Sequence, residues 1–486
     1  MRPLNLLQHR ARQRDALTDG RLDVLVIGGG IVGAGAARDA AMRGLRVGLV
    51  EQNDLASGTS SRTSRLLHGG LRYLAQGRIG LVHEASVEKR TLHRIAPHLA
   101  EPLPFVFPTY RGTDWPLWQL RIGVKLYDLL CGGRNLGPST GLTATDVLRH
   151  LPQPRGDRLT GGVRYYDGLT NDARLVLDTL RSAAARGAVI CSYSRLEEAR
   201  PDEAGWRCFV RDVLTDRGFD IRARAVVHAA GPWAARLPQS SIRLRLTKGV
   251  HLVIERSRLP VPDAVVMAEG SRILFAIPWR ERVILGTTDT DYDGPIEAVH
   301  TDPVDVDYLL DVANAAFPIA QLSRTDVVSI WAGLRPLVAS RRGGPSDISR
   351  AHIIRTPAPG WIDVAGGKLT TYRLIAQQVV DQLFRQLGRT AKPCRTADEP
   401  LLEPSDVEGV SGIAPPVIGP EVVEHYCHQE WAVHLDDVMV RRTGWQFYYR
   451  DRQRIAEQTA GWMAEILGWD ASVHETELTR WRELTH

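Results

Sequence analysis

Cysteine is scarce in this sequence: Cys131, Cys191, Cys208, Cys394 and Cys427 are all there is among 486 residues. Their number is odd and none falls in a CxxC pair, which argues against a disulfide framework and a zinc site and fits a reducing cytosol. No metal is expected. Long hydrophobic runs are also missing. No stretch approaches the ~18 apolar residues of a membrane-crossing helix, and the basic segment 1–20 has no apolar core of signal-peptide length. Charge of one sign is not in large excess: 61 Lys and Arg against 56 Asp and Glu leave +5. That is too little and too dispersed for a nucleic-acid surface, so no nucleic-acid partner is expected. No internal repeat is visible.

What is present is ordinary globular composition, 43% hydrophobic and 24% charged, at a length that implies two or three domains. An apolar run at 22–27 reads as a buried strand; glycines, a helix to Arg43 and a strand at 47–50 follow. Residues 81–96 read as a helix ended by Pro97. Residues 115–130 read as another, apolar around most of its circumference, with Arg121, Lys125 and Asp128 as a narrow polar stripe. For that helix burial is favoured over a place on a membrane surface. Asp172 caps a helix to Arg186, with Gly187 as terminator and a strand at 189–191. Strands dominate 206–230 and 242–288, and 305–316 is helical. A strand at 361–365 enters Gly366-Gly367, and a helix follows over 370–387. The proline-rich stretch 399–420 resembles a linker. Beyond it, 421–486 is charged and helical, with Ile455, Trp462, Met463, Ile466 and Leu467 spaced as a packing face.

The chemistry begins at Gly28-Gly29-Gly30-Ile31-Val32-Gly33, which fits GxGxxG. Gly28 permits the tight turn, Gly30 lets backbone approach a pyrophosphate, and Gly33 lets the helix pack on the sheet. A strand precedes the motif and a helix follows, whose N-terminus offers amides and partial positive charge to phosphates. Glu51 ends the next strand 21 residues after Gly30, where a carboxylate can accept both ribose hydroxyls. Nicotinamide enzymes and flavoproteins share this unit. Two later strand-to-glycine turns, Val226 to Gly231 followed by Trp233 and Val364 to Gly367, suggest strands returning to the same nucleotide. No second complete fingerprint is visible, so FAD, reduced directly by substrate, is the expected cofactor.

The run Thr59-Ser60-Ser61-Arg62-Thr63-Ser64-Arg65-Leu66-Leu67-His68-Gly69-Gly70-Leu71-Arg72-Tyr73-Leu74 resembles the FAD-dependent glycerol-3-phosphate dehydrogenases. So do Ala96-Pro97-His98-Leu99, Asn171-Asp172-Ala173-Arg174-Leu175, Ala230-Gly231-Pro232-Trp233, Lys248-Gly249-Val250-His251 and Ile277-Pro278-Trp279. The match continues through Gly286-Thr287-Thr288-Asp289, Gly333-Leu334-Arg335-Pro336-Leu337 and Gly366-Gly367-Lys368-Leu369-Thr370-Thr371-Tyr372-Arg373, and spans roughly residues 20–390. The resemblance implies an α/β (α+β overall) chain: a glutathione-reductase-type, Rossmann-like FAD-binding domain with an inserted antiparallel-sheet substrate domain and a small helical C-terminal cap. FAD-binding segments are expected at about 20–80, 165–235 and 330–390, substrate-domain segments at about 81–164 and 236–329, and a linker with a shortened cap at 401–486. The cap is shortened near 404–421, while 431–445 keeps the family's character.

The resemblance further implies oxidation of glycerol 3-phosphate to dihydroxyacetone phosphate, a membrane quinone as electron acceptor, and a cytoplasmic protein held peripherally on the cytoplasmic membrane. A homodimer is compatible with it. A doubly charged phosphate needs fixed cations, and Arg72, Arg335, Lys368 and Arg373 sit in family motifs. Tyr73, Thr370, Thr371 and Tyr372 are expected to join them at the substrate. Thr370 or Thr371 instead caps the following helix in an equally weighted reading. Secondary-alcohol oxidation needs a base for the hydroxyl proton, and His68 and His251 stand as alternatives. Arg335 keeps its proton and is expected to stabilise alkoxide charge, with Arg72 beside it in the catalytic set. Cofactor contacts are expected from Thr59, Ser60, Ser61, Gly69, Gly70, Gly231, Trp233, Gly367, Lys368 and Leu369, in addition to Gly28, Gly30, Gly33 and Glu51. The alternatives are an oxidase that passes electrons to O2, an amine or amino-acid oxidase of the same fold, and a flavin-binding protein without turnover.

Overall fold

The structure is a computed structural model that describes residues 6–485 except 72–73, 75–76, 132–134, 271 and 339–351. Arg72 and Tyr73 therefore lie outside the described residues. The chain divides into two compact units, one of Met1–Ser61, Asp172–Leu246 and Pro336–His486, the other of Arg62–Asn171 and Thr247–Arg335.

The first unit is organised by a sheet whose inner strands are buried on both faces over Val24–Ile27, Val47–Val50 and Trp361–Ala365, which is why the first two read as unbroken apolar runs rather than alternating ones. The strand order is Ile353–Ala358, Trp361–Ala365, Arg217–His228, Arg21–Ile27, Val47–Val50 and Val189–Cys191. All neighbours pair in parallel except the outermost pair, Ile353–Ala358 with Trp361–Ala365. The hairpin Gly205–Asp212/Arg217–His228 and the strand Ser194–Asp202 extend it antiparallel. The helix Ile31–Met42 is rich in alanine and glycine, so its neighbours approach closely. A Cβ on Gly35 would lie 2.9 Å from Ala376 Cβ and 3.0 Å from the Tyr372 ring, on the helix Tyr372–Gln386.

The C-terminal helices Pro420–Gln429, Arg452–Leu467 and Ala471–Thr485 share a core that includes Val423, Tyr426, Trp445, Ile455, Met463 and Trp481. The stretch expected to be a linker is instead packed. Leu401, Val407 and Ile413 are buried, and the Tyr426 hydroxyl donates to the Val410 carbonyl at 2.7 Å. Its prolines interrupt helix formation without removing its apolar anchors.

The second unit carries a ten-stranded sheet built on Thr290–Asp291, Leu244–Glu255, Arg282–Gly286, Arg272–Trp279, Ala264–Glu269, Glu101–Tyr110, Leu159–Leu169 and Leu66–Leu67. Val327–Val338 pairs with Leu244–Glu255, and Thr140–Leu142 with Leu159–Leu169. The helix Pro303–Ala316 covers its core. The strand Glu101–Tyr110 was hidden by Pro102, Pro104 and Pro108. Alternate residues address the same edge of a strand, so all three prolines lack an N–H on one edge. The neighbour beyond, Ala264–Glu269, pairs only at Phe105 and Val106. Pairing of Leu66–Leu67 with Leu169 and Gly168 places residues 62–80 in this unit, so the boundary falls after Ser61 rather than near 80.

The helix Leu117–Leu130 departs from the expectation of burial. Leu120, Val124 and Tyr127 are buried, whereas Trp118, Ile122 and Leu129 are 63%, 61% and 70% exposed beside exposed Arg121 and Lys125. No described helix is long and apolar enough to cross a membrane, and among the described residues no group of His, Cys, Asp and Glu could hold a metal ion.

Candidate active site

In the first unit the glycine turn forms because nothing larger fits. Gly28 has φ +109°, and a Cβ there would stand 2.5 Å from the Ala229 carbonyl oxygen; one on Gly33 would stand 2.0 Å from the Gly28 oxygen. Gly30 caps the helix Ile31–Met42, whose first turn presents amides to this space. The loop after Val47–Val50 folds over the turn. Glu51 accepts hydrogen bonds from the Gly29 amide (2.7 Å) and the Asn53 amide (2.9 Å), and the Ser60 hydroxyl accepts from Ile31 N at 3.1 Å. Desolvation pushes the Glu51 carboxyl above its usual value, opposed by those amides. A carboxylate has about four lone-pair sites, so acceptor capacity remains for a ribose hydroxyl.

Thr59, Ser60 and Ser61 form one turn of 3-10 helix. The buried Ser61 hydroxyl meets no hydrogen-bond partner among the described residues, which fits a phosphate or flavin oxygen arriving there. Gly231, φ +53°, begins the turn Gly231–Trp233, and the Trp233 ring lies against Gly58. These residues fit a dinucleotide.

Gly366 and Gly367, at φ +74° and +90°, end the strand Trp361–Ala365, and Lys368 caps the turn Leu369–Thr371. Thr370 and Thr371 are buried, and Thr371 N–H returns to the Lys368 carbonyl. Tyr372 and Arg373, expected at the substrate, are both engaged within the first unit. Tyr372 is buried, with its hydroxyl 3.2 Å from Thr179 Oγ1, and Arg373 donates to Gln377 (2.9 Å) and Thr396 (3.1 Å). Both start the helix Tyr372–Gln386, and the Tyr372 ring also faces Gly35 on Ile31–Met42.

In the second unit the pleat places His251 and Gly249 on one face of Leu244–Glu255, and Trp331, Gly333 and Arg335 on one face of the adjoining Val327–Val338. His251 Nε2 is 2.8 Å from Ser64 Oγ, and the ring stacks on Trp331 with centroids 5.1 Å apart. Its Nδ1 is buried with no hydrogen-bond partner among the described residues. Burial, then the Arg335 and Arg65 charges, push this imidazole down to about 3. Arg335 donates to Thr287 Oγ1 (2.8 Å), the Thr288 carbonyl (3.1 Å) and Asp289 (3.1 Å). Arg65 lies with its guanidinium 4.1 Å from the Trp279 ring centroid. Ser64 and Trp331 were missed as partners of His251. Trp331 was findable, since it lies four residues before Arg335 and so shares its face in a strand.

His68 follows the strand Leu66–Leu67. Next to it, the Gly69 amide donates to the Tyr127 hydroxyl (2.9 Å) and to Asp167 (3.4 Å), both buried with Lys89. Gly70 has φ +82°. Gly69 and Gly70 thus belong to the second unit, where this buried network holds their turn.

A glycine cradle at a helix N-terminus, a carboxylate placed for ribose and two later glycine turns on a parallel sheet define an FAD-dependent oxidoreductase. Residues 23–381 match the family described as FAD dependent oxidoreductase, and residues 363–474 that of the C-terminal domain of alpha-glycerophosphate oxidase. Glycerol-3-phosphate dehydrogenase of Mycobacterium leprae (strain TN) is 34% identical over 97% of this chain and 89% of its own. Aerobic glycerol-3-phosphate dehydrogenase of Staphylococcus aureus (strain USA300) is 39% identical over 78% and 71%. The crystal structure of the glycerol-3-phosphate dehydrogenase from Bacillus halodurans complexed with FAD superposes with a TM-score of 0.79 at 29% identity, covering 98% of this chain and 97% of that one. The chain belongs to the FAD-dependent glycerol-3-phosphate dehydrogenase family.

Proposed function

We propose that this chain oxidises sn-glycerol 3-phosphate to dihydroxyacetone phosphate and passes the electrons to a membrane quinone. The observation that carries the substrate assignment is the cluster on one sheet face of the second unit, where a neutral buried imidazole stands beside a fixed guanidinium. Arg335 binds the anionic substrate and stabilises charge on the reacting oxygen. Of the two histidines, His251 is unprotonated at any working pH and has a buried nitrogen open to a proton. Burial is the largest cause of that depression, and a dianion bound beside Arg335 and Arg65 offsets the two charges that add to it, which raises the basicity of the ring. His68, Arg72, Tyr73, Lys368, Thr370 and Thr371 complete the proposed set. FAD, when bound, supplies the hydride acceptor; the loop 51–61 and the turns at Gly231 and Gly367–Leu369 hold it. The test is anaerobic: glycerol 3-phosphate should bleach the flavin, whereas amino acids should not. Bleaching by amino acids alone would overturn the assignment.

The quinone reading draws support from the helix Leu117–Leu130. Its exposed Trp118, Ile122 and Leu129, with Arg121 and Lys125 alongside, suit an anionic bilayer surface, where quinone is reached. This is also the basis for a peripheral place on the cytoplasmic membrane. The oxidase reading is favoured by one observation, the match of residues 363–474 to an oxidase C-terminal domain. Quinone-analogue reduction measured against peroxide release separates the two.

A further inference from the structure

The loop that folds over the glycine turn is held from an unexpected direction. Asp54 lies in its middle, 1% exposed, and its carboxylate receives both Arg441 Nε and Arg442 Nη1. These consecutive arginines end Asp437–Arg442, a turn of π-helix in which the Thr443 amide returns to the Val438 carbonyl at 3.1 Å. Each is anchored on its far side. Arg441 also binds Asp436 (2.5 Å) and Asp437 (2.7 Å), and Asp437 accepts the Tyr193 hydroxyl (2.6 Å) and the Val433 amide (2.8 Å). Arg442 donates to the Glu430 carbonyl (2.6 Å), and the Glu430 side chain is itself gripped by Arg174.

We propose that Arg441 and Arg442 are cofactor-positioning residues: from the C-terminal helical region they clasp Asp54 and so fix the loop 51–61 in the shape that receives FAD. The loop needs such a constraint. Ala56, two residues past Asp54, sits at φ +63°, a region L-residues avoid, and its amide reaches the Gly29 carbonyl at 3.0 Å. Three residues before Asp54 is Glu51, the ribose acceptor; six and seven after it are Ser60, which meets Ile31 N, and Ser61, with its open hydroxyl. An apolar cluster could hold the region together at less desolvation cost than two buried guanidiniums. What the charges add is a directional hold on one carboxylate in the cofactor loop.

The test compares FAD affinity, read by flavin fluorescence on stripped protein, in Asp54→Asn and in Glu477→Gln. Glu477 is a buried carboxylate of the same C-terminal core that touches neither arginine; it accepts from His434 and the Leu435 amide. Asp54→Asn should weaken FAD binding about tenfold or more, the order of one lost charge-assisted contact, while Glu477→Gln stays within about twofold. Equal affinity in Asp54→Asn and the parent, or equal weakening in both variants, overturns the proposal. A second measurement needs no variant. FAD added to the stripped parent should slow amide exchange at residues 437–446 as well as 51–61, because coupling is reciprocal; slowing confined to 51–61 overturns it. A parent protein that takes up no FAD at all would instead refute the cofactor assignment.

Discussion

Gly249→Ala puts the substrate assignment under direct strain. Gly249 lies two residues before His251 on the same strand face. A methyl there would stand 2.3 Å from Arg335 Nη2, 2.6 Å from Cζ and 2.8 Å from Nη1. The strand backbone is fixed by its neighbours, whereas a guanidinium ends a flexible side chain, so the guanidinium is what moves. Moving it forfeits the orientation set by Thr287, Thr288 and Asp289. A hydrogen bond from a charged group contributes about 1.5–3 kcal/mol, which at about 1.4 kcal/mol per decade converts to roughly a 10- to 100-fold fall in kcat/KM. Alanine costs a strand about 0.5–1 kcal/mol less backbone entropy than glycine does, so the fold should persist and FAD content should stay at the parent level. Anaerobic stopped-flow bleaching against glycerol 3-phosphate concentration reads the effect. A fully loaded Gly249→Ala protein with kcat/KM within twofold of the parent would refute a substrate role for Arg335 as placed.

Because burial depresses His251, the unfolded chain takes up a proton below about pH 6.5 that the folded chain refuses until about 3. Stability contributed by the neutral ring is therefore complete above pH 6.5 and lost as pH falls toward 3, by about 1.4 kcal/mol per unit in that window. Urea unfolding at pH 7 and 5 should show this slope in the parent and a shallower one in His251→Phe; identical slopes would remove it. Gly33→Ala would set a methyl 2.0 Å from the Gly28 oxygen, and the purified protein should be colourless; a yellow, fully loaded variant would contradict the cradle geometry. Trp118→Glu with Ile122→Glu should abolish sedimentation with anionic phospholipid vesicles while leaving flavin bleaching in solution unchanged. Retained binding would exclude this helix as the membrane contact.

How far the residues spoke for themselves depended on distance along the chain. The cradle was legible because a strand, three spaced glycines, a helix and Glu51 fall within thirty residues, and the local turn dictates their chemistry. The strands Val47–Val50 and Trp361–Ala365 were equally clear, the first as a short apolar run that ends at Glu51, the second as a short run between Gly360 and Gly366. By contrast, the strand Glu101–Tyr110 was masked by its prolines, harmless only because the neighbouring pairing leaves one edge mostly unused.

The sequence alone determined that a nucleotide-binding turn forms at Gly28–Gly33 and which family's motifs surround it, since backbone sterics and short-range spacing suffice for those. Only the tertiary structure decided what long-range packing decides. His251 meets Ser64 across 187 positions and Trp331 across 80, Tyr372 meets Thr179 and Arg373 meets Thr396, and one side of Leu117–Leu130 stays outside. The grip of Arg441 and Arg442 on Asp54 spans 387 and 388 positions. A periodic pattern states that a residue has a face, but which partner covers that face is fixed only when the whole chain has closed around it.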